Sequence, residues 1–590
     1  MKISKSLKQL FTHIALYFTV VIFWAAIEIT GPILFNFEDG FRLVDIVRVG
    51  FHALFHAGII AGILSLLGRR SFITMIGLTI VYAIVAYANL LYFRSFGICF
   101  PFNMMFEFQQ LNGITDSIIS LVRWYDVSFI IIIATAIYLY IKLKDRLSFS
   151  VKRHLCIITI YITITAIPVY GILHTLKWSI DNMHKSIHLN YAMSPIKNYR
   201  AFGLLPSLSY QFWNTDSATE LSEAQQKDIK TLLDANIAYT NNNLAPKKNL
   251  VILLMEAMST SCIHSDYMPT LNSLCNSKTT LYCPNIKQLT QGAMSIGGQF
   301  VVMSGLHGLR NAIFVADFPE NTYPSIALDM IKRDCNCYTS SIISSQTNFW
   351  QQDIVNQQLS LHNLFGIDGI KNTIPNPHYN KHNWIDDKTL FEFAALKIKE
   401  LHQSFCIILV PSNMHSEWTE DANIVCDATF AHIQDSKLHE YMRRAHHLDN
   451  QIALLINELK ANGLFDDTLI VVTSDHKPSD VYCSDAMRQE LSPYIPAIFI
   501  NTGADWTEHN ERNKDVVFCH SQVYPTMLQL MGLKPEKYTG LFPPMTNIEA
   551  TQEYDFDNCD YATTTDEKLK QIYDLEELMI RSSYFGTLQK

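Results

Sequence analysis

The sequence has no excess of positive charge. Its 46 lysines and arginines are outnumbered by 55 aspartates and glutamates, which gives a net charge of −9. The only basic clusters flank long apolar segments, whereas a nucleic-acid-binding protein would carry a separate basic face. We therefore expect no nucleic acid partner.

The sequence also has no C-x2-C pair, the spacing typical of a structural zinc module. It contains 12 cysteines, of which ten follow residue 176. Cys335 and Cys337 lie close together, but spacing alone does not decide between disulfides and free buried thiols. The sequence leaves both interpretations open.

Long apolar segments fill the first 176 residues. Five of them reach the length of about 20 residues that a helix needs to cross the hydrocarbon core of a bilayer. They lie near residues 10–35, 44–67, 72–93, 127–145 and 154–175. Glu28 in the first, and His52 and His56 in the second, are ionisable groups that we expect near an interface or paired with another helix. The pattern predicts a transmembrane domain of about five helices over residues 1–176.

The basic residues between these segments predict the orientation in the membrane. Lys2, Lys5 and Lys8 precede the first segment. Arg69 and Arg70 separate the second segment from the third, and a further basic group separates the fourth from the fifth. Such residues mark cytoplasmic loops, so five spans place everything after residue 176 outside the cytoplasm. Because the first segment lacks a clear cleavage site and others follow it, we interpret it as retained.

The chain changes character after residue 245. Uninterrupted apolar runs alternate with helical patterns, which is typical of buried strands in a mostly parallel sheet with helices on both faces. The predicted strands are Asn249–Met255, Ser404–Val410, Thr468–Thr473 and Ala497–Ile500, and the clearest helix spans 438–462. We therefore predict a connector over 177–245, an extracytoplasmic α/β domain over 246–545 and a C-terminal tail over 546–590.

Polar side chains follow three of the predicted strands. Glu256 ends the first, and His415 lies just past the second. Asp475 and His476 end the third. Open α/β sheets bind ligands beyond the carboxyl ends of their strands, so these side chains should meet at one edge of the sheet. An isolated Asp-His pair means little, but the joint arrangement predicts a functional site.

These segments resemble the lipoteichoic acid synthase and phosphoglycerol transferase branch of the alkaline phosphatase superfamily. Asn249–Ala257 is similar to the family's first strand, and Thr468–His476 to the strand that ends in its metal-binding Asp-His pair. Ala445–Asp449 and Leu464–Asp467 are similar to the helix and turn before that strand. Tyr524–Gly532 is similar to a late helix, and the five preceding spans match as well. The resemblance implies a sulfatase-like fold for the C-terminal domain.

The resemblance also implies a nucleophile and a metal. The family's nucleophilic Thr begins a helix in a Gly-rich segment, and the matching position in the segment 290–300 is Ser295, also an alcohol. A metal can activate a hydroxyl group that is otherwise a poor nucleophile. A simple helix-capping role for Ser295 is the alternative. We expect one divalent ion, Mn²⁺ in preference to Zn²⁺ or Mg²⁺, held by Glu256, Ser295, Asp475 and His476.

Four further residues are expected at the substrate. The resemblance implies that His415 contacts the phosphate group and that Trp350 lies against the head group. Gln352 replaces an Arg that holds the phosphate in the family, and an amide cannot make the same bidentate contact. His520 precedes the late helix, where it would be a ligand, a substrate contact or a structural residue. We interpret Trp384 as a packing aromatic.

These features together predict a membrane-anchored transferase. It would move a phosphoglycerol-type head group from a membrane phospholipid, through phospho-Ser295, to a hydroxyl of an envelope glycan or lipid. It would be a multi-pass protein of the cytoplasmic membrane with an extracytoplasmic catalytic domain. A phosphoethanolamine transferase, a sulfatase-like phosphodiesterase and an inactive envelope-binding domain are the alternatives. A formylglycine sulfatase is disfavoured because the chain has no C/S-x-P-x-R signature.

Overall fold

A computed structural model gives the fold of the chain. It describes residues 71–96, 115–143, 221–237, 245–288, 294–309, 314–426, 430–480, 482–561 and 564–589, with Leu204 and eight positions between 24 and 60. The chain divides into two compact units. The first consists of Met1–Met105 and Ile118–Thr215, and the second of Phe106–Ser117 and Asp216–Lys590.

Among the described residues, an eight-stranded sheet forms the centre of the second unit. Its strands are β1 (Asn249–Met255), β2 (Leu281–Lys287), β3 (Tyr338–Ile343), β4 (Asn363–Phe365), β5 (Phe405–Val410), β6 (Thr468–Ser474), β7 (Ile495–Ile500) and β8 (Phe518–Cys519). Their order is β4-β3-β5-β1-β6-β7-β2-β8, and β7 runs antiparallel to both of its neighbours. The other neighbouring pairs are parallel, which confirms a mostly parallel sheet.

The central strands are apolar because neither of their faces meets water. All seven residues of β1 and all seven of β6 are buried. β1 lies between β5 and β6 and pairs in parallel with both, so the carboxyl ends of these three strands share one edge of the sheet. The segments that carry Glu256, His415 and Asp475 therefore leave the sheet side by side.

Helices connect the strands and make up much of the remaining described chain. They are α1 (Ser71–Phe96), α2 (Thr115–Leu121), α3 (Val127–Leu143), α4 (Glu223–Ile237), α5 (Pro269–Cys275), α6 (Met294–Ser304), α7 (Phe314–Asp317), α8 (Ile326–Arg333), α9 (Gln352–Gln358), α10 (Ile367–Thr373), α11 (Asp387–Glu400), α12 (Ser436–Ala461), α13 (Asp485–Glu490), α14 (Thr507–Asn513), α15 (Val523–Leu530), α16 (Ile548–Thr551), α17 (Glu567–Arg581) and α18 (Tyr584–Gln589). The predicted helix 438–462 corresponds to α12. Asp435 caps its start by accepting a hydrogen bond from the Leu438 amide, and Gly463, with a φ of +66°, follows its end.

The first unit contains one stretch that is long and apolar enough to cross a membrane, as far as its residues are described. This stretch, Ile76–Arg94 of α1, coincides with the third predicted span. The apolar stretch Trp124–Thr135, which includes the start of α3, lies at the fourth predicted span and does not reach the same length. The first, second and fifth predicted spans lie outside the described residues, apart from isolated positions. The five-helix domain and the multi-pass topology therefore stay predictions.

The residues beyond 545 pack against the rest of the second unit. α17 contributes Glu576, whose carboxylate accepts hydrogen bonds from His307 Nδ1 at 2.7 Å and from the Gly308 amide at 3.0 Å. Burial opposes a charge on His307, but Glu576 and Cys519 raise the pKa of His307 to about 10. The contact is therefore an ion pair, and it fixes α17 to the chain just beyond the end of α6.

Candidate active site

Glu256, Asp475 and His476 meet at the carboxyl edge of the sheet. Glu256 follows β1, and the Asp-His pair follows β6. One ligand atom from each residue lies within 4.8 Å of the other two. His476 Nε2 is 3.2 Å from Glu256 Oε1 and 3.6 Å from Asp475 Oδ2. The parallel pairing of β1 with β6 thus brings together residues that are more than 200 positions apart in sequence.

Asp475 presents only one of its carboxylate oxygens to the other two groups. Oδ1 accepts hydrogen bonds from the backbone amides of Ala257, at 2.9 Å, and His476, at 2.7 Å. Oδ2 is buried and has no hydrogen-bond partner among the described residues. A buried carboxylate oxygen without a donor is costly, which indicates that this oxygen serves a ligand.

The backbone also fixes the orientation of the His476 ring. Nδ1 donates a hydrogen bond to the Lys477 carbonyl oxygen at 2.7 Å. The ring then directs Nε2 towards the two carboxylates. A histidine held in this way through one nitrogen is the usual arrangement for metal binding through the other.

Ser295 lies beside this cluster at the start of α6. Its Oγ donates a hydrogen bond to Glu256 Oε2 at 3.1 Å and lies 3.3 Å from His476 Nε2. The start of a helix also offers free backbone amides and a partial positive charge, which suit phosphate oxygens. The predicted set of Glu256, Ser295, Asp475 and His476 therefore converges on one point.

The electrostatics of the cluster call for a cation. Burial favours the neutral form of Glu256, but the hydrogen bond and charge of His476 outweigh it and lower the pKa of Glu256. Burial and the charge of Glu256 raise the pKa of Asp475. Burial opposes a charge on His476, but Asp475 and Glu256 raise its pKa to about 9. Two carboxylates and an imidazole are a donor set for a divalent metal, which would replace these protons.

Gly298 allows α6 to approach the end of β6. A Cβ atom at this position would lie 2.3 Å from the carbonyl oxygen of Asp475 and 2.5 Å from its Cα atom. Both are backbone atoms, so the helix itself would have to move. Glycine at 298 therefore sets the distance between Ser295 and the ligands that follow β6.

We expect Gly298→Ala to displace α6 and to lower both stability and activity. The overpacking should cost about 1–3 kcal/mol and the shift of Ser295 should lower turnover at least about tenfold. Thermal unfolding and a turnover assay on the purified full-length chain would measure the two effects. Gly586→Ala is the matched control, since a Cβ atom there would lie an ordinary 3.8 Å from its nearest neighbour, Thr322 Oγ1. A Gly298→Ala protein with parental melting temperature and rate would contradict this role.

Comparisons with known proteins agree with this geometry. The family model described as lipoteichoic acid synthase N-terminal domain matches residues 1–210, and the sulfatase model matches residues 335–533. The lipoteichoic acid synthase of Staphylococcus saprophyticus is 25% identical, over 81% of this chain and 75% of the relative. Lipoteichoic acid synthase 1 of Bacillus subtilis is 22% identical, over 98% of this chain and 93% of the relative.

The chain is similar to the lipoteichoic acid synthases of the sulfatase and alkaline phosphatase superfamily. A solved structure has a similar fold. The integral membrane lipooligosaccharide phosphoethanolamine transferase A of Neisseria meningitidis superposes with a TM-score of 0.55 at 13% identity. The match covers 89% of this chain and 98% of that protein.

In this lipoteichoic acid synthase-like protein, His415 lies on the loop after β5. The ring is half-buried, and its environment includes the charges of Glu256 and His476. Burial lowers the pKa of His415, so the imidazole is neutral near pH 7. Its ring centroid is 5.1 Å from that of Trp384 and 5.2 Å from that of His382.

Trp384 belongs to this ring cluster as well as to the core. It is 4% exposed, as a packing aromatic would be. Phe349 lies 5.3 Å from it between ring centroids, and Phe349 is the neighbour of Trp350. Trp350 is half-buried and adopts a positive φ of 52°, so the predicted head-group residue lies on an unusual turn. The rings thus link the segment of Trp350 with the loop of His415.

Gln352 and His520 are both buried. Gln352 Nε2 donates a hydrogen bond to Gln299 Oε1 at 2.9 Å, which ties α9 to the helix of Ser295. His520 is fully buried, and its ring nitrogens have no hydrogen-bond partner of ordinary geometry among the described residues. Burial, with smaller contributions from His307 and His476, lowers its pKa to about 3. Neither residue belongs to the three-residue ligand cluster.

Arg444 positions the loop of His415 and was not among the residues predicted from the sequence. Its guanidinium donates hydrogen bonds to the carbonyl oxygens of Asn413 and His415 at 3.0 Å and of Thr419 at 2.6 Å. Glu440 balances its charge at 2.8 Å. Its position in the sequence could have indicated this role, because Arg444 lies on the apolar stripe of the predicted helix 438–462. A charged side chain on such a face needs a partner.

Proposed function

We propose that this phosphotransferase moves a phosphoglycerol head group from a membrane phospholipid to a hydroxyl of an envelope acceptor. The observation that carries the proposal is the position of Ser295 Oγ, 3.1 Å from Glu256 and 3.3 Å from His476. At these distances a metal ion held by Glu256 and His476 would also contact the Ser295 hydroxyl and could activate it as a nucleophile. The curated relatives, which are lipoteichoic acid synthases, support the same substrate class.

Glu256, Ser295, Asp475 and His476 would together hold one divalent ion. Two observations support this assignment. Oδ2 of Asp475 has no hydrogen-bond partner among the described residues, and Nδ1 of His476 is held by the backbone so that Nε2 faces the two carboxylates. When bound, the ion would lower the pKa of the Ser295 hydroxyl and balance charge on the phosphoryl oxygens. Mn²⁺ is our preferred ion, and Zn²⁺ and Mg²⁺ are compatible with the same donors.

The proposed reaction has two transfers. Ser295 Oγ forms a bond to phosphorus while the bond from phosphorus to the glycerol oxygen of diacylglycerol breaks, and the hydroxyl proton of Ser295 ends on that oxygen. The oxygen of an acceptor hydroxyl then forms a bond to phosphorus while the bond from Ser295 Oγ to phosphorus breaks, and the acceptor's proton goes to Ser295 Oγ. We assign His415 to the phosphate and Trp350 to the glycerol moiety, and positioning with electrostatics would supply most of the catalysis. His520 and Gln352 would support these groups from buried positions.

The test is release of diacylglycerol by the purified full-length chain. We expect release from phosphatidylglycerol labelled in the acyl chains, and transfer of labelled glycerol phosphate to an acceptor from a second sample labelled in the head group. Phosphatidylethanolamine serves as the competing donor in a parallel reaction. Release from phosphatidylethanolamine alone would show that the head group is phosphoethanolamine and not phosphoglycerol. Release from neither lipid would contradict the proposed transferase.

A phosphoethanolamine transferase is the second candidate. The fold shared with the Neisseria meningitidis enzyme is compatible with it, and so is the burial of Gln352 against Gln299 in place of a phosphate-binding Arg. The cysteines give it little support, since nine of the ten that follow residue 176, all except Cys426, are free thiols in the described structure. We therefore rank this candidate second, and a hydrolase or an inactive binding domain below it.

The membrane anchor fits the proposed donor. We propose that residues 246–545 contain the catalytic domain and that this domain lies outside the cytoplasm, as the basic loops indicate. An anchored active site meets its lipid donor at a high local concentration.

A further inference from the structure

A cavity lies at the edge of the sheet opposite the candidate active site. It has a volume of about 490 Å³ and is formed by α8, the segment 532–538 after α15, and Phe585. Arg333 of the cavity wall donates hydrogen bonds to the carbonyl oxygens of Lys247 and Lys248, directly before β1. Glu256 follows the other end of β1, so the cavity and the active site are separated by a strand length of roughly 20 Å.

The cavity combines an apolar floor with a basic rim. Tyr538, Phe585 and Leu533 line it and are each at most 4% exposed. Its charged lining residues are the basic Lys332, Arg333, Lys534 and Lys537 and the acidic Asp329 and Glu536. A local excess of lysine stands out in a chain whose net charge is −9.

The charged residues of the wall have different roles. Arg333 is occupied by backbone carbonyl oxygens, including that of Met531 at 3.0 Å, so it supports the wall and does not serve a ligand. Asp329 is buried and accepts a hydrogen bond from the Tyr524 hydroxyl at 2.7 Å. Lys332 and Lys534 are exposed, and the described structure gives them no hydrogen-bond or ion-pair partner. The ammonium groups of Lys332 and Lys534 are therefore available to an anion.

We propose that this cavity is a second binding site, for a phosphodiester group that carries a glycerol or acyl portion. The rim lysines would bind the phosphate, and the apolar floor would receive the part attached to it. The choice of a phosphodiester rests on the proposed function, in which both the lipid donor and a phosphoglycerol product carry one. A phospholipid head group and a phosphoglycerol unit of the product are two sources of the same chemistry.

The cavity is connected to the helix of Ser295. The Tyr538 hydroxyl donates a hydrogen bond to the carbonyl oxygen of Ser304, the last residue of α6, at 2.9 Å. Ser295 lies at the other end of this helix. This hydrogen bond joins the cavity wall to the helix that begins beside the active site.

Binding to the purified full-length chain tests the proposal. The background is Asp475→Ala with His476→Ala, so that binding at the active site is weakened in every sample. Isothermal titration calorimetry would use two probes, glycerophosphoglycerol and dioctanoylphosphatidylglycerol. Binding of both probes would indicate that a phosphoglycerol unit suffices, and binding of the lipid alone would identify a phospholipid site.

Charge reversal at the rim should remove this binding. We expect Lys332→Glu with Lys534→Glu to weaken the affinity about tenfold or more, and Lys332→Gln with Lys534→Gln to weaken it less. Lys371→Glu with Lys399→Glu, two exposed lysines on α10 and α11, is the matched control and should leave the affinity unchanged. The proposal is overturned if neither probe binds in this background, or if both rim variants bind as tightly as the control. Diacylglycerol release by the parent chain is measured separately, so failure of the proposed function remains distinguishable.

Discussion

Replacing Ser295 with alanine should lower diacylglycerol release by about 10³-fold or more. The hydroxyl is the proposed nucleophile, and the alanine side chain cannot form the phosphoester. The substitution removes one oxygen atom and leaves the Asp475 oxygen and the His476 ring in place, so we expect most of the bound metal to remain. This variant should therefore lose its activity but keep its metal content.

Two further variants make this test specific. Ser295→Thr should retain part of the activity, because the resemblance implies a threonine at this position in the family. Ser265→Ala removes the same atom from an exposed serine and should leave the rate unchanged. If Ser295→Ala releases diacylglycerol as fast as the parent chain, Ser295 is only a helix cap.

Removing both residues after β6 should empty the metal site. We expect Asp475→Ala with His476→Ala to lose the bound divalent ion and all measurable transfer, because only Glu256 and Ser295 would remain as ligands. Partly filled metal sites bind weakly, since each lost ligand takes away a large share of the affinity. Elemental analysis by inductively coupled plasma mass spectrometry of the purified full-length chain would give the metal content per molecule.

The control for this variant is a second Asp-His pair in the same unit. His264 and Asp266 lie 3.7 Å apart, and their side chains are 58% and 63% exposed. His264→Ala with Asp266→Ala should therefore keep both metal and activity. Equal metal content in the two double variants, with both folded, would rule out the proposed ligand set.

The ligands could be predicted because parallel strands bring their carboxyl ends together. β1 and β6 are apolar along their whole length, so the first polar residues after them had to lie at the edge of the sheet. The sequence did not predict that β7 is antiparallel, since a short buried run looks the same in either direction. The direction of β7 does not affect the site, because the candidate ligands follow β1 and β6, which are parallel to each other.

Other parts of the site depend on contacts that a single sequence does not reveal. The need for glycine at 298 arises from a backbone atom of Asp475, far away in the chain. The burial of Gln352 depends on its hydrogen bond to Gln299, and no pattern in the sequence pairs these two residues. The membrane spans were predicted from apolar length alone, and α1 is the described helix that meets this criterion.

The ion pair between His307 and Glu576 has a consequence for biosynthesis. The two residues are 269 positions apart, so Glu576 is synthesised long after the helix of Ser295. Until it arrives, burial would favour the neutral form of His307, and the end of α6 would lack this contact. Chains that stop before α17 should therefore hold the helix of Ser295 less firmly. The final position of that helix would thus be reached only after α17 has been synthesised.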